Sequence, residues 1–472
     1  MLKKFSCLLI CLLLGACASS EKPVVKSGIS SEGADLNQLF VSNQQGDGTF
    51  RVGMLLPLSG KAAKLGKGLK KASMMALDDV KNPDLILQFY DTKGSPEGAR
   101  TAVQNALSQN ARLIIGPLSR EEVQAISDET VYNDVPVIAF STAKEVLRPK
   151  VYTLGLLIDE QVNRILSYAA EKGRSRFALL LPDNKMGIAV AKAAIASATQ
   201  NNVEVVKIAF YPPETTNFAN IVKQLTDYST RNANLNRLKI NLTALAENGD
   251  KSAERQLKQL KTTNSMGEVG FDAVIIPEYG SKLKSIISMF GYYDVYAPEV
   301  KFLGTSIWEN SSLNKESMII NSWYPALSRY QSVYFSNKFS YLFDERPSSL
   351  YSFAYDAVAL ASALSKQTGI IDLNQAITNP DGYIGINGTF RLFENGSNQH
   401  SLDIMEVRAN GDVVIDEAPK RFSNQETDYF NRRYINNYAT SRPQIFGKPQ
   451  TEAENLIFGT PVYEAINNSI EE

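Results

Sequence analysis

Phe50-Arg51-Val52-Gly53-Met54-Leu55-Leu56-Pro57-Leu58-Ser59-Gly60 (FRVGMLLPLSG) is the stretch on which the fold turns. The apolar run Phe50 to Leu56 is too short for a stable helix and too continuously apolar for a strand wetted on one face, so it predicts a buried strand stopped by the Pro57–Gly60 turn. Next, Leu69, Ala72, Ser73, Ala76 and Leu77 fall on one face of a helix from about Gly66 to Val80. The unit then recurs. A strand from Leu85 to Tyr90 ends in Asp91-Thr92-Lys93-Gly94 and is followed by a helix with Ala99, Val103, Ala106 and Leu107 inward. Ala111–Ile115 ends in Gly116-Pro117-Leu118-Ser119 before a helix from Glu121, and Val135–Phe140 ends in Ser141-Thr142. Repeated strand, turn and helix with continuous apolar strands predict a parallel sheet covered on both faces.

A second series begins after Val151-Tyr152, with helix Glu160–Gly173, strand Arg176–Leu181, helix Met186–Asn201 and strand Val203–Phe210. From about Thr215 to Thr263 the rhythm breaks into a helical insertion, where Leu225, Leu235, Leu238, Leu242, Leu245, Leu257 and Leu260 are spaced for one apolar face. Phe271–Pro277 resumes the sheet, followed by helix Lys282–Phe290 and strand Val300–Leu303, which leads to Trp308. A long helix is expected over Ser348–Thr368. Thr389–Phe393, a turn at Glu394-Asn395-Gly396 and Leu402–Val407 are expected to form a hairpin. The sequence is therefore expected to divide into an α/β body at 50–418 and a polar tail at 419–472 that wraps the body or stays loose. Lobe one is expected at about 50–152 and 325–385, and lobe two at about 153–324 and 386–418.

Composition removes most chemistry from this body. Of 472 residues one is His, and the three Cys are Cys7, Cys11 and Cys17. A disulfide framework, a Cys-ligated metal and a cysteine nucleophile are thereby excluded beyond residue 17. His400 is the one possible imidazole base for a Ser-His-Asp hydrolase, and no G-x-S-x-G elbow accompanies it. Gly60–Gly68 (GKAAKLGKG) misses the phosphate-loop spacing and lacks the following Ser or Thr. A formal net charge of -1 provides no basic face for nucleic acid. No enzyme activity, cofactor or metal is expected.

Met1 to Cys17 has the layout of an export signal, with Lys3 and Lys4 ahead of an apolar Phe5–Leu14 core. That core is far shorter than the roughly 20 residues needed to span a bilayer. Leu14-Gly15-Ala16-Cys17 resembles the lipobox of bacterial lipoproteins, which implies lipid on Cys17 and cleavage just before it. Ala18 follows, where the inner-membrane retention pattern places Asp, so the resemblance implies an outer-membrane anchor. Residues 18–49 are rich in small and polar types and are expected to be a flexible tether.

The set Val52–Gly60, Ile114–Ser119, Pro136–Thr142 and Tyr355-Asp356-Ala357-Val358 resembles the type I periplasmic binding protein fold of the leucine-binding-protein class. The resemblance covers roughly residues 50–418. Leu55–Gly60, Tyr90-Asp91-Thr92, Gly116-Pro117-Leu118, the helical insertion and Asp272–Pro277 are most similar to the penicillin-binding protein activator lipoproteins. That resemblance implies contact with a class A penicillin-binding protein in the periplasm. The best-known members carry a helical-repeat domain ahead of this fold, whereas here about 30 residues separate Cys17 from the first strand. The wider class implies the alternative, a solute receptor of an ABC importer for amino acids or related amides.

In open α/β sheets ligands bind beyond the carboxyl ends of the strands. Ser59, Asp91, Ser119, Ser141, Thr142, Glu278, Tyr279 and Trp308 all fall at such ends. Resemblance to the amino-acid binders makes Ser119 and the Ser141/Thr142 pair donors to a carboxylate. Ser119 also stands three residues before Glu122, the spacing of a capping box. An α-ammonium needs an anion in a closed cleft, and Glu278 or Glu309 is the candidate. Trp308 is placed either against a ligand or in packing.

Overall fold

The computed structural model describes residues 48–310, 313–328, 332–367, 372–422 and 442–458. Cys17, the signal and almost all of the tether, and residues 423–441 and 459–472 of the tail, lie outside the described residues.

Lobe one opens with β1 (Phe50–Leu56), α1 (Ala63–Val80), β2 (Leu85–Asp91), α2 (Pro96–Ser108), β3 (Leu113–Ile115), α3 (Arg120–Tyr132), β4 (Val137–Ala139) and β5 (Val151–Thr153). Its sheet runs β2-β1-β3-β4-β5, every pair parallel. Val, Ile and Leu fill both faces because helices cover both. Helix starts follow local chemistry: Ser95 accepts from the Gly98 amide with Pro96 behind it, and Ser119 closes a capping box with Glu122.

The chain crosses to lobe two through α4 (Ile158–Glu171), β6 (Arg176–Pro182), α5 (Lys185–Gln200) and β7 (Glu204–Tyr211). The insertion follows as α6 (Ala219–Leu225), α7 (Tyr228–Glu247) and α8 (Lys251–Gln259), then β8 (Ala273–Ile275), α9 (Gly280–Tyr292), β9 (Lys301–Leu303) and β10 (Trp323–Leu327). Of the leucine stripe, Leu225, Leu235 and Leu242 are buried, whereas Leu245 is exposed. Two helices that sequence periodicity left unassigned, α10 (Ser332–Phe343) and α12 (Leu373–Ile377), return to lobe one with α11 (Ser349–Ser365) between them. A small sheet of β11 (Tyr383–Gly385), β12 (Gly388–Leu392) and β13 (Asn398–His400) follows. Then β14 (Leu402–Glu406) and β15 (Val413–Asp416) rejoin lobe two.

Three expectations are corrected. The lobe boundary does not fall at 325, because Pro325 sits within β10, which pairs with β9 and β14 in the lobe-two sheet. Nor does lobe one end at 385: Ile386, Phe390 and Leu392 pack in its core with Phe353 and Leu360. The expected hairpin has a different second arm. Phe390 pairs with His400 and Leu392 with Asn398, while Leu402–Glu406 turns away to pair with β10. Of the two outcomes expected for the tail, its described part takes the first and packs on the body. β16 (Gln444–Phe446) pairs parallel with β7, completing the order β15-β14-β10-β9-β8-β6-β7-β16, and α13 (Gln450–Phe458) buries Ala453 and Ile457 against α5. The polar composition hid two apolar residues at helical spacing, which suffice once a sheet edge is present to receive them.

Candidate functional site

The carboxyl ends of β1, β3 and β4 in lobe one and of β6, β8 and β9 in lobe two present the turns that flank an interlobe cleft. Around β1, Asp91 shapes the turn. Its Oδ1 accepts from the amides of Leu58 (2.8 Å), Ser59 (3.1 Å) and Lys93 (2.8 Å). Burial raises this carboxyl, but the hydrogen bonds from the Ser59 hydroxyl and the three amides outweigh it and hold the group below its ordinary value. Ser59 itself is exposed.

Ser119 is half-buried, and its Oγ accepts from the Glu122 amide at 3.3 Å while its own amide donates to Glu122 Oε2 at 3.0 Å. Ser141 is buried, with Oγ accepting from the Ala143 amide at 3.2 Å, which leaves its proton available to donate. Thr142 is exposed beside it. Gly155 is required here, because a Cβ would come within 2.7–2.9 Å of Thr142 Cγ2 and the Ser141 and Phe140 carbonyl oxygens. The segment that follows β5 thus presses directly on the Ser141 turn.

In lobe two, Glu278 is buried and accepts the Tyr211 hydroxyl at 2.7 Å. Burial first, and then this carboxylate, push the Tyr211 phenol well up, so it stays a donor. Tyr279 is 60% exposed at the start of α9. Trp308 is a correction: it is fully buried, donates its indole N–H to the Ile276 carbonyl at 3.1 Å, and packs near Tyr324 in the lobe-two core. A Cβ on Gly304 would lie 2.1 Å from its ring, so the chain reverses too tightly there for Trp308 to face the cleft. Glu309 is half-buried.

At the lobe-one rim Glu121 pairs with Arg120 at 3.2 Å. Deeper in, sequence reasoning missed the residues that join the lobes. Asp159 pairs with Lys144, and Glu160 with His400, from consecutive positions in the first turn of α4. Gln161, next along the helix, holds α4 to its own lobe by accepting from the Ser306 amide and hydroxyl, each at 2.9 Å. Nearby Asp356, buried on α11, accepts from the Ile386 amide at 2.6 Å and Asn387 Nδ2 at 3.1 Å. Burial pushes its carboxyl up to about 7 despite these bonds. The only sequence signal for this network was the acidic pair at a helix start, which the helix dipole favours in any case.

A cavity of about 610 Å³ lies at the opposite end of lobe two, between the insertion and the strand starts, lined by Arg176, Arg231, Phe271, Asp272 and Tyr296 among others. Arg231 donates there to the carbonyls of Gly267, Tyr293 and Asp294, tying the insertion to the lobe. Among the described residues no cluster of His, Cys, Asp or Glu has metal-binding geometry, and no helix is long and apolar enough to cross a membrane.

A wholly parallel sheet and a second sheet that is parallel except at its β10-β14-β15 edge, joined by crossings, define the type I periplasmic binding protein fold. The model of the periplasmic binding protein family matches residues 49–412, and the chain belongs to that family. A branched-chain amino acid ABC transporter protein of Rhodospirillum rubrum shares the fold with a TM-score of 0.63 at 14% identity, over 78% of this chain and 100% of that one. The penicillin-binding protein activator LpoA of Haemophilus ducreyi is 34% identical over 96 residues, 20% of this chain and 15% of that protein. An uncharacterized protein of Rickettsia prowazekii is 24% identical over 163 residues, 34% of this chain and 43% of its own. The chain thus spans less than half the length of these curated relatives.

Proposed function

We propose that this protein is a lipid-anchored periplasmic regulator of peptidoglycan synthesis that activates a class A penicillin-binding protein by contact. The observation that carries this reading is the sequence likeness, 34% identity over 96 residues, to the penicillin-binding protein activator LpoA of Haemophilus ducreyi. The α7–α8 hairpin, with Ile240 and Leu245 exposed, offers apolar contact area to a protein partner. Attachment to the outer membrane is through lipid on Cys17, and Cys17→Ser is expected to release the protein from membranes.

The test is stimulation of the cell's own class A penicillin-binding proteins by the purified protein. Absence of both binding and stimulation with every one of them overturns the reading. A second reading, a solute receptor of an ABC importer, is favoured by Ser141 and Thr142, whose hydroxyls remain able to donate to a carboxylate at the cleft. A receptor saturated a hundredfold above its Kd gains roughly 2.7 kcal/mol in stability. No rise in Tm across an amino-acid and amide panel removes that alternative.

A further inference from the structure

The cavity at the strand-start end of lobe two is built around a buried cation. Arg231 is 6% exposed and lines this space of about 610 Å³, yet it forms no ion pair among the described residues. Its guanidinium donates instead to the carbonyls of Gly267 (3.0 Å), Tyr293 (3.0 Å) and Asp294 (3.1 Å), which use three of its five N–H groups. A buried charge that has hydrogen bonds but no counterion stabilises an anion brought next to it. A second guanidinium lines the same cavity. Arg176, exposed at the start of β6, is also in no ion pair among the described residues, and its Nη2 would lie 3.5 Å from a Cβ placed on Gly270.

The loop between Gly267 and Phe271 adds backbone donors. Gly267 and Val269 give their carbonyls to the buried Arg231 and Lys207, at 3.0 and 2.9 Å. Across a trans peptide the N–H points opposite to the C=O, so the amides of Glu268 and Gly270 are directed away from those two cations. Neither amide has an acceptor among the described residues, and both residues line the cavity.

The walls and the acids narrow the ligand's chemistry. Phe271, Val295 and Val300 are buried and apolar. Asp272 and Asp294 also line the space, but their oxygens accept from the Ser175 and Arg176 amides and from the Ser265 hydroxyl, so they serve the loops. Glu268 and Glu299 are exposed and in no ion pair among the described residues, which sets unpaired carboxylates in the same cavity as the unpaired guanidiniums. A simple anion would be repelled by these acids, whereas a ligand that carries both an ammonium and a carboxylate meets both signs. The volume lies in the range of sites that enclose drug-sized molecules and exceeds what a single amino acid fills.

We propose that this cavity binds a short peptide with a free C-terminus. Arg176 and the Glu268 and Gly270 amides take its carboxylate in the field of Arg231, the apolar wall takes its body, and Glu268 and Glu299 take its ammonium. The site is separate from the interlobe cleft, and the proposal is independent of the regulator and receptor readings.

The probe is trialanine, titrated by calorimetry into the full-length protein in detergent. Saturable binding is expected, and Arg176→Ala should weaken it on the order of tenfold at unchanged Tm, because a charge-assisted bond is lost from an exposed position. Arg176→Lys should keep part of the affinity. The C-terminal amide of trialanine should bind on the order of tenfold more weakly, and the N-acetylated peptide should also bind more weakly. Ser141→Ala, in the interlobe cleft, should leave the titration unchanged. Absence of saturable binding by dialanine, trialanine and tetra-alanine at millimolar concentration overturns the proposal. So does an affinity indifferent to Arg176→Ala or to either blocked terminus, displacement by inorganic phosphate as strong as by trialanine, or loss of binding in Ser141→Ala.

Discussion

Glu160 Oε2 lies 3.3 Å from Nδ1 of His400, and each side chain is only 2% exposed. Glu160 stands in the first turn of α4 in lobe two. His400 is stacked on Phe390 and meets Phe353 edge-on, both in the lobe-one core. Burial raises the Glu160 carboxyl and His400 pulls it back. Its other oxygen, Oε1, has no hydrogen-bond partner among the described residues. With the Asp159–Lys144 pair one residue earlier, the first turn of α4 is where the lobes are joined by charge.

Breaking one side of this pair should cost more than its size implies. His400→Ala leaves the Glu160 carboxyl buried beside apolar rings, and a loss of about 3–5 kcal/mol is expected in denaturant unfolding. His400→Ala combined with Glu160→Leu should recover most of it, because no buried charge then remains. A His400→Ala cost near the roughly 0.5 kcal/mol of a surface change would show that the pair does not hold the lobes.

Asp356 makes stability depend on pH in the direction opposite to a paired carboxylate. Its folded value of about 7 lies above the ordinary 3.8, so its contribution is fully present below about pH 4 and is lost as pH rises towards 7. Between these limits the wild type is expected to lose a few kcal/mol relative to Asp356→Asn. Parallel pH profiles for the two proteins, read by chemical denaturation, would refute the assignment.

Asp91 has the opposite sign. Its carboxyl is held below its ordinary value, so the stability it provides is present above about pH 4 and declines on acidification. Asp91→Ala should free the Leu58, Ser59 and Lys93 amides to exchange with solvent faster and cost about 1 kcal/mol, the lower range for a partly exposed acceptor. Unchanged amide exchange at those three positions would refute its role in the turn.

Trp308→Ala should destabilise lobe two by about 3–5 kcal/mol, the cost of emptying a core aromatic site. Trp308→Phe keeps most of the ring but loses the bond to the Ile276 carbonyl, and a cost of about 1–3 kcal/mol is expected. A Trp308→Ala protein with the Tm of the wild type would place the side chain outside the core.

The βα rhythm was legible because each strand is a local apolar run and each helix a local 3.6-residue period, as in Phe50–Leu56 and the Leu69–Leu77 face. The Ser119 capping box was legible for the same reason, since both partners lie within four residues. Trp308 was not, because its position at a strand end is shared by cleft and core residues alike. Only the close reversal at Gly304 turns its ring inward.

By itself the sequence determined the α/β class, two lobes, the helical insertion and a body without thiol chemistry, because periodicity, turn residues and composition act over short distances. Tertiary structure alone decided where one lobe ends and the other begins, and that Leu402–Glu406 pairs with β10 and not with the Thr389–Phe393 run. It also decided that Glu160 and His400, 240 residues apart, share one buried site. The physical reason is common to all three. A strand's partner and a buried charge's counterion are chosen by what the folded chain brings alongside, and no local pattern in the chain encodes that choice.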